Sequence, residues 1–350
     1  MAYTTIDNPE LFFQTVLYTG NGSDDRDITL PGDEDMQPDL VWLKSRDTNN
    51  YNHFWTDSVR GVTKYIKSDA TSAENTLSGS VKAFNSDGFR VGTEADVNNN
   101  TTTYVAWNWK AGTSFSNDAS ATSVGVTDSS GSINTTAGFS IITYTGNDTV
   151  NNQIAHGLGV KPDWIIFKQT SSTGRWHSYH SVLGATKHMR LDATDAEDTA
   201  TSFMNNTEPT SSVINLGTSG HVNDGTIIAY CFAEVKGYSK FGSFTGNANT
   251  DGPFVYTGFR PAWVLIKNSS ANGENWNLFD NKRNGFNGSG EALRPNTNEA
   301  EYDRNVDFLA NGFKVRDSSG EVSGNGNTLI YMAFAESPFV NSNGIPTNAK

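Results

Sequence analysis

The sequence predicts an all-β protein made of three tandem, related β-sandwich modules of jelly-roll or lectin-like type. Three observations predict it. Five short motifs recur along the chain at long intervals. Each is a run of β-forming residues bounded by Gly, Asn, Asp or Pro. Glycine is abundant, at 33 residues, while charged residues make up only 18%, a balance suited to short strands and tight turns rather than to long surface helices.

The first motif is an extended run feeding a Gly-Asn turn: Tyr18-Thr19-Gly20-Asn21, Tyr144-Thr145-Gly146-Asn147 and Phe244-Thr245-Gly246-Asn247. The second is a strand admitted by proline and ended by lysine: Pro38 to Lys44, Pro162 to Lys168 and Pro261 to Lys267. The third is polar and aromatic: His53-Phe54-Trp55-Thr56-Asp57, Trp176-His177-Ser178-Tyr179-His180 and Trp276-Asn277-Leu278-Phe279-Asp280. The first two copies continue almost alike, as Ser58-Val59-Arg60-Gly61 and Ser181-Val182-Leu183-Gly184. The third diverges to Asn281-Lys282-Arg283. The fourth is a tight hairpin, Asp87-Gly88-Phe89 and Asn311-Gly312-Phe313, with a changed hairpin expected at Val213 to Gly217 in the second copy. The fifth is a closing apolar strand: Tyr104 to Ala111, Ile227 to Glu234 and Leu329 to Glu336.

Corresponding motifs lie about 125 residues apart between the first two copies and about 100 between the next two. Units of that size are long enough to be complete sandwiches, unlike the short repeats of solenoids. The organisation that follows is an N-terminal arm and start of the first strand (1–15), module 1 (16–111), a Ser/Thr/Gly-rich linker (112–137), module 2 (138–240), module 3 (241–340) and a C-terminal tail (341–350). The linker has almost no large apolar residue and reads as flexible or surface-draped. Nothing comparable separates modules 2 and 3, which are expected to pack as a rigid pair. Helix is expected only in short pieces, at 70–77 or 193–204.

Composition narrows the function classes. A formal net charge of -13 disfavours unassisted binding to nucleic acid or to an anionic membrane. Cys231 is the single cysteine, so no intrachain disulfide is expected, and its apolar neighbours predict a buried thiol. Met1 to Asp7 carries neither a basic region nor an apolar stretch, and no run approaches the length of a membrane span, so synthesis in a cytoplasm and no membrane insertion are expected. Triplets such as Asn147-Asp148-Thr149 are read as turn chemistry rather than as glycosylation acceptors.

No motif demands catalysis, metal or a cofactor. His177, His180 and His188 fall in one stretch, but His180 aligns with Asp57 and Asp280, which does not suit a repeated metal site. The carboxylates cluster in turn sequences, and sequence does not place two of them across a glycosidic bond. Trp42, Trp164 and Trp263 lie in apolar strands and are read as core. Trp55, Trp176 and Trp276 stand among polar residues, each with an Asp or His nearby. They are therefore read, with Asp57, His180 and Asp280, as candidate ligand-binding residues, because sugars stack on exposed rings flanked by polar groups.

The opening Tyr18-Thr19-Gly20-Asn21-Gly22, the Pro38-Asp39-Leu40-Val41-Trp42 strand, Ser58-Val59-Arg60-Gly61, Asp87-Gly88-Phe89 and the run Tyr230 to Phe241 together resemble a family of repeat-containing virion proteins, tail-fibre or tail-tip-like, of marine bacteriophages and cyanophages. The resemblance covers almost the whole chain. It implies a location in the virion, assembled in the host cytoplasm, and transfers no catalytic residue. The expected role is a non-enzymatic tail-associated fibre or adhesin that contacts other virion proteins and a host-surface glycan or protein. Homo-oligomerisation, with a trimer favoured, would add multivalency. The alternatives are a head decoration or capsid-fibre protein and, third, a glycan depolymerase. Residues 1–8 are expected to be an arm that docks on a neighbouring virion protein.

Overall fold

The computed structural model describes residues 3–283, 287 and 290–347. It is an all-β protein, with 42% strand against 7% helix. The strands fall into three sets that follow the three copies of the sequence motifs.

The first set comprises β1 (Phe13–Thr19), β2 (Arg26–Ile28), β3 (Leu40–Ser45), β4 (Phe54–Asp57), β5 (Lys64–Lys67), β6 (Asn75–Thr76), β7 (Val81–Asn85), β8 (Gly88–Val91) and β9 (Thr103–Trp109). The second comprises β10 (Thr113–Asn117), β11 (Ser129–Asn134), β12 (Phe139–Asn147), β13 (Asn152–Ala155), β14 (Trp164–Gln169), β15 (His177–His180), β16 (Lys187–Arg190), β17 (Asp198–Thr199), β18 (Val213–Leu216) and β19 (Asp224–Phe232). The third comprises β20 (Ser239–Thr245), β21 (Phe254–Tyr256), β22 (Phe259–Asn268), β23 (Asn277–Asp280), β24 (Val306–Leu309), β25 (Gly312–Val315) and β26 (Thr328–Pro338).

Each set has one large antiparallel sheet with the same internal order: β1-β9-β3-β4, β12-β19-β14-β15 and β20-β26-β22-β23. A small sheet packs on it: β2-β8-β7, β13-β18 and β21-β25-β24. The large strands are apolar on both faces because both are covered. Val41, Leu43 and Ala106 face the small sheet of their own set, as do Ile165, Phe167 and Ala229, and Val264, Ile266 and Ala333. Their alternating partners Trp42 and Trp107, Ile166 and Tyr230, and Leu265 and Met332 face a single cluster shared by all three sets. The three sandwiches are therefore closed around one common core. Its cross-set contacts include Trp55–Trp176 at 5.2 Å, Trp164–Trp276 at 6.0 Å and Trp42–Trp263 at 6.1 Å between ring centroids. Modules 2 and 3 do pack together, and module 1 packs on both.

The Gly-Asn motif opens a loop held by a one-turn helix: α1 (Ala95–Asn98) in module 1, with α2 (Ala119–Thr122) and α3 (Thr201–Met204) preceding its counterparts α4 (Gly220–Asn223) and α5 (Gly320–Ser323). Asn98 Oδ1 accepts from Asn21 N, Asn223 Oδ1 from Asn147 N, and Ser323 Oγ from Asn247 N. The glycine is required by this clamp: a Cβ on Gly20, Gly146 or Gly246 would lie 2.0–2.3 Å from the backbone at the end of that helix.

Several expectations change. Segment 112–137 is not a loose linker: β10 and β11 form an antiparallel hairpin that extends the sheet of module 2 along the edge of β12. Backbone pairing needs no large side chains, and Gly131 fits where a Cβ would meet Ile141 O at 1.8 Å, so low hydrophobicity misled the reading. The 70–77 stretch carries β6 rather than a helix, while 193–204 yields only the single turn α3. The hairpin of module 2 is changed as expected, since β18 pairs with β13 alone. From residue 3 the N-terminal arm lies on its own chain. Thr4 and Ile6 are buried, Tyr3 Oη donates to Gly258 O at 2.9 Å, and Asp7 accepts from Ser342 N at 2.6 Å.

Candidate functional site

The six candidate ligand residues all converge on the central core. Trp55, Asp57, Trp176, His180, Trp276 and Asp280 are each no more than 1% exposed. The expectation of exposed rings at a ligand surface is corrected: the polar residues around these tryptophans belong to seams between modules, where the neighbouring module supplies the covering face.

The strand registers fix the correspondences. Leu40 pairs with Asp57, Trp164 with His180, and Trp263 with Asp280, so Asp57, His180 and Asp280 are equivalent positions. His53, Trp176 and Trp276 are equivalent four residues earlier. Trp176 Nε1 donates to Lys67 O of module 1 at 2.8 Å, and Trp276 Nε1 donates to Arg190 O of module 2 at 2.9 Å. In module 1 the buried His53 ring instead accepts from Trp42 Nε1 at 2.9 Å.

Backbone hydrogen bonds repeat the same cycle. Gly174 N donates to Thr71 O at 2.8 Å, Gly273 N to Thr194 O at 3.0 Å, and Asn50 N to Asn298 O at 2.9 Å. A second set runs the other way across each seam: Glu74 N to Thr170 O, Glu197 N to Ser269 O, and Glu301 N to Arg46 O, at 2.7 to 2.9 Å. Module 1 thus lays one segment on module 2, module 2 on module 3, and module 3 on module 1. The chain closes into a pseudo-threefold ring.

Two of the three seams contain a buried ion pair. Arg60 Nε donates to Asp57 Oδ2 at 2.5 Å, and Tyr230 Oη of module 2 donates to the same oxygen at 2.7 Å. Arg283 Nε donates to Asp280 Oδ2 at 2.6 Å, and Trp107 Nε1 of module 1 donates to that oxygen at 2.9 Å. Burial opposes the charge on Arg60, but the pull of Asp57 with Tyr230 and Glu74 outweighs it and raises its pKa. At the third seam both partners change together: His180 replaces the aspartate, Leu183 the arginine, and Met332 the donor. Burial pushes the His180 pKa down to about 4, and the neutral ring lies against Tyr331 O at 3.4 Å. Removing both charges at once leaves neither partner unmatched.

Sequence reading missed three equivalent lysines at the ends of the second-motif strands. Lys44, Lys168 and Lys267 are 0% exposed, and burial pushes each pKa down to about 8. Lys168 Nζ donates to Gly174 O at 2.6 Å and across the seam to Thr71 O at 3.1 Å. Lys267 Nζ donates to Glu274 O at 2.8 Å. The recurrent lysine is the available signal, and the sequence pattern marks it only as the residue that ends the strand.

The histidines regroup as well. His180 lies at the ring interior, whereas His177 and His188 meet His221, with ring centroids 4.7 and 4.8 Å from His177. The His177 and His221 rings stack at 19°, and the His188 ring is tilted by 36° to His177. Among the described residues no group of three or more His, Cys, Asp or Glu is arranged to hold a metal ion. Burial keeps His177 well below the usual imidazole range, with the neighbouring histidines adding to the effect, and pushes His188 down to about 4. Cys231 is buried and free, with its thiol pushed up to about 12.

One family profile, described as a domain of unknown function (DUF7483), matches residues 8–338. The match spans all three modules as one unit. Comparisons with curated proteins and with solved structures return no match.

Proposed function

The chain belongs to the DUF7483 family, and we propose that it is a non-enzymatic structural protein of a bacteriophage virion, a tail-associated fibre or adhesin that presents loops to the host surface. The proposal starts from the sequence resemblance to repeat-containing virion proteins. The observation that carries it further is the closed ring. The polar and aromatic side chains that first suggested a ligand site are used to lock three modules together, which is the investment expected of a rigid particle component. Such a ring sets three families of loops around one axis within a single chain, the arrangement that multivalent attachment uses.

The same observation favours one second reading, a head decoration protein. A single-chain pseudo-threefold ring fits a local threefold position of a capsid surface without assembling three copies. Immunogold electron microscopy of purified virus, with antibody raised against this protein, separates the two. Gold at the tail or its fibres supports the adhesin, gold spread over the head supports decoration, and unlabelled particles contradict both.

A further inference from the structure

In two of the three modules the one-turn helix that holds the Gly-Asn loop is tied down by an ion pair. Asp96 of α1 meets Lys67 of β5 at 3.4 Å. Glu321 of α5 meets Arg294 at 2.9 Å and Arg304 at 3.1 Å. The strand registers make Lys67, Arg190 and Arg294 equivalent: Phe54 pairs with Lys67, His177 pairs with Arg190, and Arg294 follows Leu293, which bridges to Leu278. The counterpart of the acid in module 2 is His221, at the second position of α4. Module 2 therefore keeps the cation and puts an imidazole where its carboxylate would stand. Arg190 turns instead to Asp195 and Asp198, at 2.8 and 3.0 Å.

Two more histidines complete the change. His177 stands where module 1 has Phe54, and His188 where it has Tyr65. The centroids of His188 and His221 lie 4.7 and 4.8 Å from that of His177. His177 Nδ1, both nitrogens of His188, His221 Nδ1 and Arg190 Nε are buried without a hydrogen-bond partner. The charges that act on the rings are mainly positive: Lys168 from β14, Arg175 from the turn before β15 and Arg190 from β16. Asp198 of β17 reaches His188 Nε2 only at 4.0 Å and is already held by Arg190, and Asp192 lies 3.7 Å from Arg175. From α3 the apolar Phe203 ring packs 5.1 Å from His188 and 5.9 Å from His177. Burial first, and then the neighbouring histidines and cations, hold all three imidazoles below their usual range. The next residues of α4 clamp the loop. Asn223 accepts from Asn147 N and Asn152 Nδ2 and donates to Thr149 O and Gly217 O, so moving α4 frees 146–151.

We propose that His177, His188 and His221 form an acid-sensitive latch: neutral rings hold α4 on its sheet, and protonation releases α4 and the 146–151 loop of module 2 alone. Modules 1 and 3, tied by Asp96–Lys67 and Glu321–Arg294, keep their loops closed over the same range. The sign follows from burial. The open form takes up protons near pH 6.5 and the closed form only below it, so opening gains up to about tenfold per ring for each pH unit of acidification. The test is hydrogen exchange of the full chain, read by mass spectrometry at about pH 7, 6 and 5 and corrected for the intrinsic pH dependence of exchange. Between about pH 7 and 5, protection of 144–152 and 217–224 should fall at least about tenfold more than that of the sister segments 18–23 with 92–98 and 244–249 with 317–323. In His221→Glu, which restores a carboxylate opposite Arg190, that excess should vanish, with tryptophan fluorescence at neutral pH confirming the fold. Equal loss in all three modules, or an undiminished excess in His221→Glu, overturns the latch. The comparison among the parent's own modules needs no variant, so it decides the matter even where His221→Glu does not fold.

Discussion

Tyr230 Oη of module 2 reaches across a buried seam and donates a 2.7 Å hydrogen bond to Asp57 Oδ2 of module 1. That oxygen also accepts from Arg60 Nε, so one carboxylate holds its own module's guanidinium and the next module's phenol. Asp57→Ala leaves the buried guanidinium only its longer pairing with Glu74, at 3.5 Å, which costs up to about 3–5 kcal/mol, and Tyr230→Phe removes one charge-assisted bond, about 1.5–3 kcal/mol. Urea unfolding followed by tryptophan fluorescence should rank the two in that order. Unchanged midpoints would mean that the seam contributes nothing.

The seam between modules 2 and 3 offers the reciprocal experiment. His180→Asp alone buries an unmatched carboxylate, and Leu183→Arg alone buries an unmatched guanidinium. The double variant recreates the pair found at Asp57–Arg60 and Asp280–Arg283. It should be more stable than the sum of the single effects predicts, by about 2 kcal/mol or more. Simple additivity in a double-mutant cycle would show that the three seams are not equivalent in geometry.

Buried histidines set a pH dependence. His156, His180 and His188 have folded pKa values of about 4, and His53 and His177 lie well below the usual imidazole value, all chiefly through burial. Unfolded imidazole takes up its proton near 6.5, so between about pH 6.5 and 4 the unfolded state binds more protons and stability falls as pH falls, by up to about 1.4 kcal/mol per pH unit for each group. The urea midpoint should hold steady from pH 8 to 7 as far as these groups are concerned and drop from pH 6.5 to 5, above the range where carboxylates dominate. A midpoint that rises on acidification would contradict their burial as neutral rings.

The hairpin β10–β11 gives a proteolysis prediction. Proteinase K under native conditions should spare 113–117 and 129–134, because their backbones are paired within the sheet. Rapid cleavage inside either strand would restore the flexible-linker reading.

The repeated strands were legible because a motif such as Tyr144-Thr145-Gly146-Asn147 keeps its spacing wherever the same loop must meet the same helical turn. The expected core at Trp42, Trp164 and Trp263 was legible for the same reason as any apolar strand. The placing of Trp55, Trp176 and Trp276 was not. Their sequence neighbours are polar, and the surface that buries them comes from another module more than 100 residues away in the case of Trp176 and Lys67. Local pattern reports what a strand does to its own sheet. It carries no information about a ring that closes through the ends of other strands. The hairpin at 113–134 escaped because it is held by backbone bonds, which leave little trace in hydrophobicity.

The central claim, three modules closed around one core, is tested most directly by small-angle X-ray scattering on the monomeric peak from gel filtration. A compact body of 350 residues has a radius of gyration of about 20 Å, the value expected for the closed ring. A value near about 30 Å, that of three such modules strung in a line, would contradict it.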